Sequence, residues 1–188
     1  MTTPPHALSL WHTTPLPEGW CLAHPGCRQE ALAAGLLTRR NMRHYWRARH
    51  ARFSLTMFLR HWSQQHSLLW RPEQKKIRGV LSWTQQGEHA HLCELQLEKA
   101  YRGHGVGTSI LTHWLLACYQ QGVTRVDLKV FRDNPAYHLY TRCGFWALAV
   151  DVNIPGFITM RCSLDASRIK KLHHAQQSLC LSSSPLSA

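Results

Sequence analysis

The sequence predicts a single α/β domain of the α+β type, and three observations support this fold class. The chain has 188 residues, of which 44% are hydrophobic, and this is enough for one domain with a real core. Short runs with period-two alternation occur among longer runs whose apolar residues recur every three or four positions. A glycine-rich loop at 103–107 lies between an alternating run and a helical run, which is typical of a strand followed by a loop and a helix.

The domain is expected to span residues 21–164, between two segments of different composition. Residues 1–20 are proline-rich and are predicted to form an N-terminal extension, in which an apolar run at 7–11 is a candidate first strand. From residue 165 the apolar pattern fails and lysines, histidines and serines accumulate. Residues 165–188 are therefore predicted to be a poorly ordered tail.

Two helical segments are predicted in the first third of the domain. A short helix is predicted at 28–37, with Gly35 near its end. A longer segment is predicted at 41–65, because its aromatic and apolar residues are spaced mainly by three, four or seven. Asn41 is its expected N-cap, and a break is expected near Ser54.

The remaining elements follow from alternation, helical periodicity and turn residues. Three strands are predicted before the glycine-rich loop: 67–70, 77–83 and 88–97. After the loop, the order is a helix, a strand, a helix and two strands: 106–121, 123–131, 134–143, 145–152 and 157–162. In the strand at 88–97, alternation predicts two faces: one with His89, His91, Cys93, Leu95 and Leu97, the other with Ala90, Leu92, Glu94 and Gln96.

Composition limits the compartment and the metal chemistry. No apolar stretch reaches the length of a membrane span, and the N-terminus lacks the basic start and apolar block of a secretory signal. We therefore expect a cytoplasmic protein. The seven cysteines are scattered without a Cys-x-x-Cys pair, so reduced thiols are expected. Cys21, His24 and Cys27 are close in sequence, but they lack a fourth ligand with zinc-site spacing, and no metal is expected.

The glycine-rich loop has the chemistry of a phosphate cradle. Its glycines tolerate positive φ and let backbone N–H groups approach a ligand at the start of a helix. Arg102 adds a permanent cation suited to phosphate. A P-loop is excluded because no lysine follows the glycines, and a dinucleotide fingerprint is excluded because Thr108 stands where its third glycine is needed. The remaining pattern is Arg-x-x-Gly-x-Gly, from Arg102 to Gly107.

A second motif lies at residues 134–145, one helix and one strand later. It ends in Leu139-Tyr140-x-x-x-Gly144-Phe145. Together the two motifs resemble those of the GNAT superfamily of N-acetyltransferases. The resemblance implies a mixed, mostly antiparallel sheet of six or seven strands with helices on both faces. It also implies that the neighbouring parallel strands 92–97 and 123–131 splay apart to admit acetyl-CoA.

The resemblance further implies a cofactor site. The pyrophosphate would lie on the N–H groups of residues 103–108, and the pantetheine arm would pair with the open edge of strand 92–97. Asn134 is either a cofactor contact or only the cap of its helix. The candidate cofactor-binding residues are Leu95, Leu97, Arg102, Gly103, His104, Gly105, Val106, Gly107, Thr108, Asn134 and Tyr140.

The implied reaction is direct acetyl transfer to a primary amine, without an acyl-enzyme. The family places a tyrosine at the position of Tyr140, where it protonates the leaving thiolate. Glu94 is the best candidate base, because an acid flanked by apolar residues on this strand is expected to have a raised pKa. His91 and Tyr45 are reserve candidates.

Two alternative functions and several partners stay open. The alternatives are a non-catalytic acyl-CoA-binding regulatory module and a transferase acting on charged tRNA. The net charge is +12, and residues 31–72 contain eight arginines and no acid. The region from Arg39 to Arg60 is either a solvated face, a docking surface for an acidic acceptor, or a patch facing the phosphates of CoA. A homodimer is a further option.

Overall fold

The computed structural model describes residues 15–74 and 76–182 and has a single sheet of seven strands in this part of the chain. The strands are β1 (Trp20–Leu22), β2 (His66–Trp70), β3 (Gly79–Gln86), β4 (His89–Leu97), β5 (Arg125–Phe131), β6 (Trp146–Val150) and β7 (Phe157–Ser163). The helices are α1 (Arg28–Arg47), α2 (Leu55–Trp62), α3 (Val106–Gln120), α4 (Ala136–Arg142) and α5 (Ala166–Ser182). The candidate strand at 7–11 lies outside the described residues.

The strand order is β1-β2-β3-β4-β5-β7-β6, and only β4 and β5 pair in parallel. The predicted fold class, a mixed and mostly antiparallel sheet, is confirmed. Successive residues of β2 face two different cores: Leu68 contributes to a large core with α3 and α5, and Leu69 to a smaller core with α1 and α2. This alternation is the two-residue period of a strand with helices on both faces.

The predicted splay of the parallel pair is also confirmed. Pairing between β4 and β5 runs from His89 opposite Arg125 only as far as Leu92 opposite Leu128. At this point β4 carries a bulge, because Trp83 pairs with Leu92 and the preceding residue of β3 pairs with Glu94. Beyond the bulge, the edge of β4 that faced β5 has no strand partner and can accept a ligand.

The bulge corrects the predicted faces of β4. Because one extra residue, Cys93, lies in the strand, the alternation shifts by one position. Leu95 and Leu97 therefore pack on the same core as Ala90 and Leu92. Glu94 and Gln96 instead turn to the face covered by α1, where their β3 partners are Ser82 and Val80.

The predicted boundary between the first two helices is wrong. Helix α1 continues from Arg28 to Arg47 through both Gly35 and Asn41, so Gly35 is not a terminator and Asn41 is not a cap. A Cβ added at Gly35 would lie 2.6 Å from Leu55 Cδ1 and 2.9 Å from Phe58 Cδ1. The glycine allows α2 to pack closely against α1, which is a different reason for a glycine in a helix.

The predicted break near Ser54 is confirmed, and it begins a new helix. Ser54 is the N-cap of α2, and its hydroxyl accepts a hydrogen bond from the backbone N–H of Met57 at 3.3 Å. Helix α2 then packs its apolar side chains against α1 and the smaller core.

The expectation of a poorly ordered tail from residue 165 is corrected by α5. The carboxylate of Asp165 accepts a hydrogen bond from the backbone N–H of Arg168 at 2.7 Å, as an N-cap does. Ile169 and Leu172, one helical turn apart, are buried in the larger core. These two apolar residues hold α5 against the domain because they pack on the surface of α3. Residues 183–188 lie outside the described part.

No helix in the described part of the chain is long and apolar enough to cross a membrane.

Candidate active site

The glycine-rich loop has the backbone geometry that the sequence predicts for a phosphate cradle. Gly103 and Gly105 both have positive φ, +82° and +80°, which a residue with a side chain adopts only under strain. Gly105 caps the start of α3, whose first three N–H groups have no partner within the helix. A Cβ at Gly103 would meet no atom within 4 Å, so the space above the loop is open. This geometry fits a pyrophosphate, which needs several converging N–H donors.

The loop forms one wall of a groove of about 450 Å³, which we call the outer groove. The opposite walls come from α1, from the end of β4 and from α4. Its lining residues from the predicted cofactor set are Leu95, Leu97, Arg102, Gly103, Gly105, Gly107, Thr108 and Asn134, and the others include Asn41, Met42, Tyr45, Gln96 and Arg142.

Arg102 lies at the mouth of the outer groove, and its Nε donates a hydrogen bond to the carbonyl of Leu97 at 3.0 Å. The same carbonyl accepts a hydrogen bond from Asn41 Nδ2 at 3.0 Å. A ligand that donates a hydrogen bond to the Leu97 carbonyl would therefore compete with Arg102 and Asn41. The terminal nitrogens of the guanidinium carry further N–H donors for a phosphate.

A second, smaller cavity of about 120 Å³ lies where β4 and β5 separate, and we call it the inner cavity. It adjoins the outer groove, with which it shares five lining residues: Met42, Leu95, Gln96, Asn134 and Ala136. Glu94 and Tyr140, the predicted base and acid, both line it. The structure thus brings together the two groups that were assigned opposite roles in proton transfer.

Burial raises the pKa of the Glu94 carboxyl to about 7. A hydrogen bond acts in the opposite direction, since Gln96 Nε2 donates to Glu94 Oε2 at 3.0 Å. The Gln96 amide is itself held by α1, because Asn41 Nδ2 donates to Gln96 Oε1 at 3.1 Å. A relay of hydrogen bonds from Asn41 through Gln96 therefore orients the carboxylate.

Tyr140 is buried on α4, with only 6% of its surface exposed, and its ring packs edge-on against Phe145 at 5.8 Å between centroids. Burial raises the pKa of its phenol above the ordinary range, and the negative charge of Glu94 adds to this effect. The phenol therefore keeps its proton at neutral pH. A protonated phenol can donate to an anion that forms in the inner cavity.

The rest of the inner cavity is largely apolar and aromatic. Its aromatic wall consists of Trp46, Phe53 and Phe157. The Phe157 ring packs at a tilt against Phe131, with 4.7 Å between centroids, and the guanidinium of Arg49 lies 4.2 Å above the Phe131 ring. These rings form an apolar side of the cavity that holds Glu94.

The family model described as the acetyltransferase (GNAT) family matches residues 33–145, which contain both motifs. The chain belongs to the GNAT acetyltransferase family. Among solved structures, Tetrahymena GCN5 is similar at a TM-score of 0.60 and 13% identity over 77% of this chain and 94% of that one. Ard1 from Thermoplasma volcanium is similar at a TM-score of 0.59 and 15% identity over 78% of this chain and 97% of that one.

PaiA N-acetyltransferase from Thermoplasma acidophilum, solved in complex with coenzyme A, is similar at a TM-score of 0.53 and 17% identity, over 72% of this chain and 89% of that one. These likenesses concern the fold. No curated protein matches the sequence.

Several residues that the sequence proposed for the GNAT site lie elsewhere or have another role. The exposed side chain of His104 and the side chain of Val106 do not line either cavity, although their backbone belongs to the cradle. His91 lies in the paired part of β4, opposite Asp127, and burial is the main cause of its lowered pKa. Asn134 lines both cavities, and its Oδ1 accepts a hydrogen bond from the N–H of Ala136 at 3.0 Å, as a helix cap does.

Tyr45, the other reserve base, lines the outer groove and is buried. Burial is the main cause of its raised pKa, so its phenol stays protonated at neutral pH. A protonated phenol is not a base at that pH.

The sequence missed the residues that support Glu94. Asn41 was interpreted as a cap, and Gln96 was not assigned a role. The spacing of Glu94 and Gln96, two residues apart on one strand, could have indicated that their side chains meet. No metal site is formed by the described residues, since none of their His, Cys, Asp and Glu side chains cluster in groups of three.

Proposed function

We propose that the protein is an acetyl-CoA-dependent N-acetyltransferase that moves the acetyl group directly to a primary amine. The observation that carries the proposal is the placement of Glu94 and Tyr140 on one inner cavity that adjoins the glycine-lined outer groove. An ionisable carboxyl with a pKa of about 7 and a protonated phenol are the two groups that amine acetylation needs.

The outer groove fits the extended shape and the charge of CoA. The N–H groups at residues 103–108 and the cation of Arg102 suit a pyrophosphate, and the open edge of β4 beyond Leu92 suits an amide-containing arm. When bound, acetyl-CoA supplies the activated acetyl group as a thioester. The chain's own residues orient it, exclude water and move protons.

Glu94 acts as the base in this proposal. A primary amine of the lysine type has a reference pKa of about 10.4 and enters as an ammonium at neutral pH. The Glu94 carboxylate accepts one proton from it, and the free amine then attacks the thioester carbonyl carbon. Asn41 and Gln96 hold the carboxylate in place and keep its pKa low enough for ionisation near pH 7.

Tyr140 serves the leaving group. When the carbon–sulfur bond breaks, the electron pair remains on sulfur, and the phenol of Tyr140 donates a hydrogen bond to the developing thiolate. The phenol passes its proton to the sulfur and regains one from the amide nitrogen, so an amide and a free thiol leave the site, and Glu94 releases the proton it took from the ammonium to solvent. Atoms and charge balance without an acyl-enzyme.

Binding of acetyl-CoA is expected to raise the melting temperature. A ligand at about 100 times its Kd stabilises the folded state by about 2.7 kcal/mol, which for a chain of this size is a shift of roughly 5–10 °C. Differential scanning fluorimetry with acetyl-CoA measures it, and desulfo-CoA and ATP are the ligand controls. If millimolar acetyl-CoA does not change the melting temperature, the cofactor assignment is wrong.

Acetylation itself separates the proposed enzyme from a non-catalytic CoA-binding module. Mass spectrometry of a panel of amines and peptides, incubated with acetyl-CoA and the protein, measures products that are heavier by one acetyl group. A thermal shift without any acetylated product across the panel would favour the binding module.

Replacing Arg102 by alanine is expected to weaken CoA binding by about tenfold to a hundredfold. A charge-assisted hydrogen bond to phosphate contributes about 1.5–3 kcal/mol, and this variant removes it. Isothermal titration calorimetry with CoA measures the Kd. Arg125→Ala is the matched control, because Arg125 is exposed at the start of β5 and lines neither cavity. An unchanged Kd in the Arg102 variant would mean that this side chain does not reach the phosphates.

A further inference from the structure

A large concave surface lies on the other side of α1 from the inner cavity. It has a volume of about 930 Å³ and is bounded by α1, by Arg71 and residues 76–78, and by Glu98 just after β4. We call it the basic cleft. Its lining residues are Cys27, Gln29, Glu30, Ala33, Leu36, Leu37, Arg39, Arg40, Arg43, Arg71, Lys76, Ile77, Arg78 and Glu98.

The cleft is strongly cationic, with six basic residues and only two acids among those that line it. The two acids fix three of the arginines. Glu30 holds Arg71 at 2.7 Å, and Glu98 holds both Arg40, at 2.9 Å, and Arg78. Because a single carboxylate faces two guanidinium groups, positive charge remains in excess even within this cluster.

Arg39, Arg43 and Lys76 are the remaining cations of the cleft, and no ion pair in the described part of the chain includes them. Arg39 and Arg43 lie one helical turn apart on the exposed face of α1. Their charges point to a negatively charged ligand. A cluster of fixed and free cations in one concave surface raises the local concentration of anions more than a convex charged face does.

The floor of the cleft is apolar. Ala33, Leu36, Leu37 and Ile77 lie between the charged rims, and Leu36 keeps 39% of its surface exposed. No aromatic residue lines the cleft. This combination suits a ligand with both acidic and apolar side chains. It does not suit a single-stranded nucleic acid, whose bases bind on aromatic platforms.

The basic cleft is also separate from the proposed CoA site. It shares no lining residue with the outer groove or the inner cavity. The arginines that line the outer groove are Arg102 and Arg142 instead. The basic cleft is therefore not the wall of the groove that would hold the phosphates of CoA.

We propose that the basic cleft binds an acidic segment of a partner polypeptide, with carboxylates on the two cationic rims and apolar side chains on the floor. The match of charge and the apolar floor carry this assignment. Helix α1 presents the cleft on one face and Asn41, Met42 and Trp46 to the two cavities on the other. A polypeptide held in the cleft therefore lies beside the active site without occupying it.

The test measures binding and does not depend on acetyl transfer. The probe is a fluorescein-labelled twelve-residue peptide of alternating glutamate and leucine, and its affinity is measured by fluorescence anisotropy at 0.15 M salt. Two comparison probes are a lysine–leucine peptide of equal length and a single-stranded oligonucleotide of similar charge. The acidic peptide is expected to bind, and its affinity should fall as salt rises.

The double variant Arg39→Glu/Arg43→Glu is expected to weaken binding of the acidic peptide at least tenfold. The matched control is Arg52→Glu/Arg60→Glu, which makes the same change in net charge at exposed positions of the same arginine-rich region outside the cleft. This control should change the affinity less than twofold. Arg39→Gln/Arg43→Gln tests the cleft with a smaller change in charge, and the melting temperature of each variant confirms that it folds.

Three outcomes would overturn the proposal. The first is that the acidic peptide does not bind at low micromolar protein. The second is that both glutamate variants lose affinity equally, which would indicate attraction by net charge alone. The third is that the oligonucleotide binds more tightly than the peptide and is released by the cleft variant, which would assign the cleft to nucleic acid. The proposal is supported if the acidic peptide binds the parent and the Arg52→Glu/Arg60→Glu control but binds weakly to the two variants at Arg39 and Arg43.

Discussion

Replacing Tyr140 by phenylalanine is expected to lower kcat by about 10²–10³-fold while the Kd of CoA changes less than about threefold. The substitution removes one hydroxyl and keeps the ring, so its edge contact with Phe145 stays in place. A positioned proton donor contributes on the order of 10²–10⁴-fold to a rate, and its loss acts on the step in which the thiolate leaves. Steady-state kinetics and calorimetry of CoA binding separate the two effects.

Tyr119→Phe is the matched control for this variant, because Tyr119 is half-exposed on α3 and lines neither cavity. It should keep the parent's kcat. Tyr45→Phe is the informative second comparison, since Tyr45 lines the outer groove but not the inner cavity. A parent-like kcat in Tyr140→Phe, or an equal loss in Tyr45→Phe, would show that the leaving group does not depend on Tyr140.

The order of elements could be predicted from the sequence because local signals agree with the fold. Period-two alternation, glycine turns and helical periodicity place β2 to β7, α3 and α4 within a few residues of their observed bounds. The splay of β4 and β5 followed from the resemblance of two motifs to the GNAT family. It could not have followed from periodicity, since both strands look continuous in sequence.

The bulge at Cys93 marks the limit of pattern reasoning. One unpaired residue reverses the faces of β4, so Glu94 leaves the side of Leu92 and turns towards α1. A bulge arises from the pairing of two strands, and the sequence of either strand taken separately gives little sign of it. The consequence is functional, because only on the α1 side can Gln96, which donates to Glu94, also accept a hydrogen bond from Asn41.

Two other errors have the same origin in tertiary contacts. Gly35 has the residue type of a helix end, but it lies where α2 crosses α1, and this contact needs a residue without a side chain. The segment after Asp165 has the composition of a tail, but two of its apolar residues find the surface of α3. Local composition gives a preference, and the neighbouring surface decides the outcome.

Replacing Glu94 by glutamine is expected to lower kcat/KM by about 10²–10⁴-fold at pH 7.5 and to change the shape of the pH profile. In the parent, the reacting pair is a Glu94 carboxylate and an ammonium acceptor. Because the pKa of Glu94 is about 7, kcat/KM should rise about tenfold per pH unit below pH 7 and level off above it. In the variant the amine must lose its proton to solvent, so the rate should keep rising towards the pKa of the amine, about 10.4 for a lysine-type acceptor. Glu88→Gln, at an exposed hairpin position just before β4, is the matched control and should keep the parent profile.

The relay from α1 gives this assignment an independent check, because Gln96→Leu removes a donor without removing the base. Loss of the hydrogen bond from Gln96 destabilises the carboxylate and raises the pKa of Glu94, so the rising limb of kcat/KM should move to higher pH. At pH 7 the variant should be several-fold slower than the parent, and near pH 9 it should recover the parent's rate. The Glu94→Gln variant should not recover at that pH, since it lacks the base. If the pH profiles of the parent and of Gln96→Leu coincide, Gln96 has only a structural role in β4. If the parent's own profile shows no change of slope near pH 7, Glu94 is not the base.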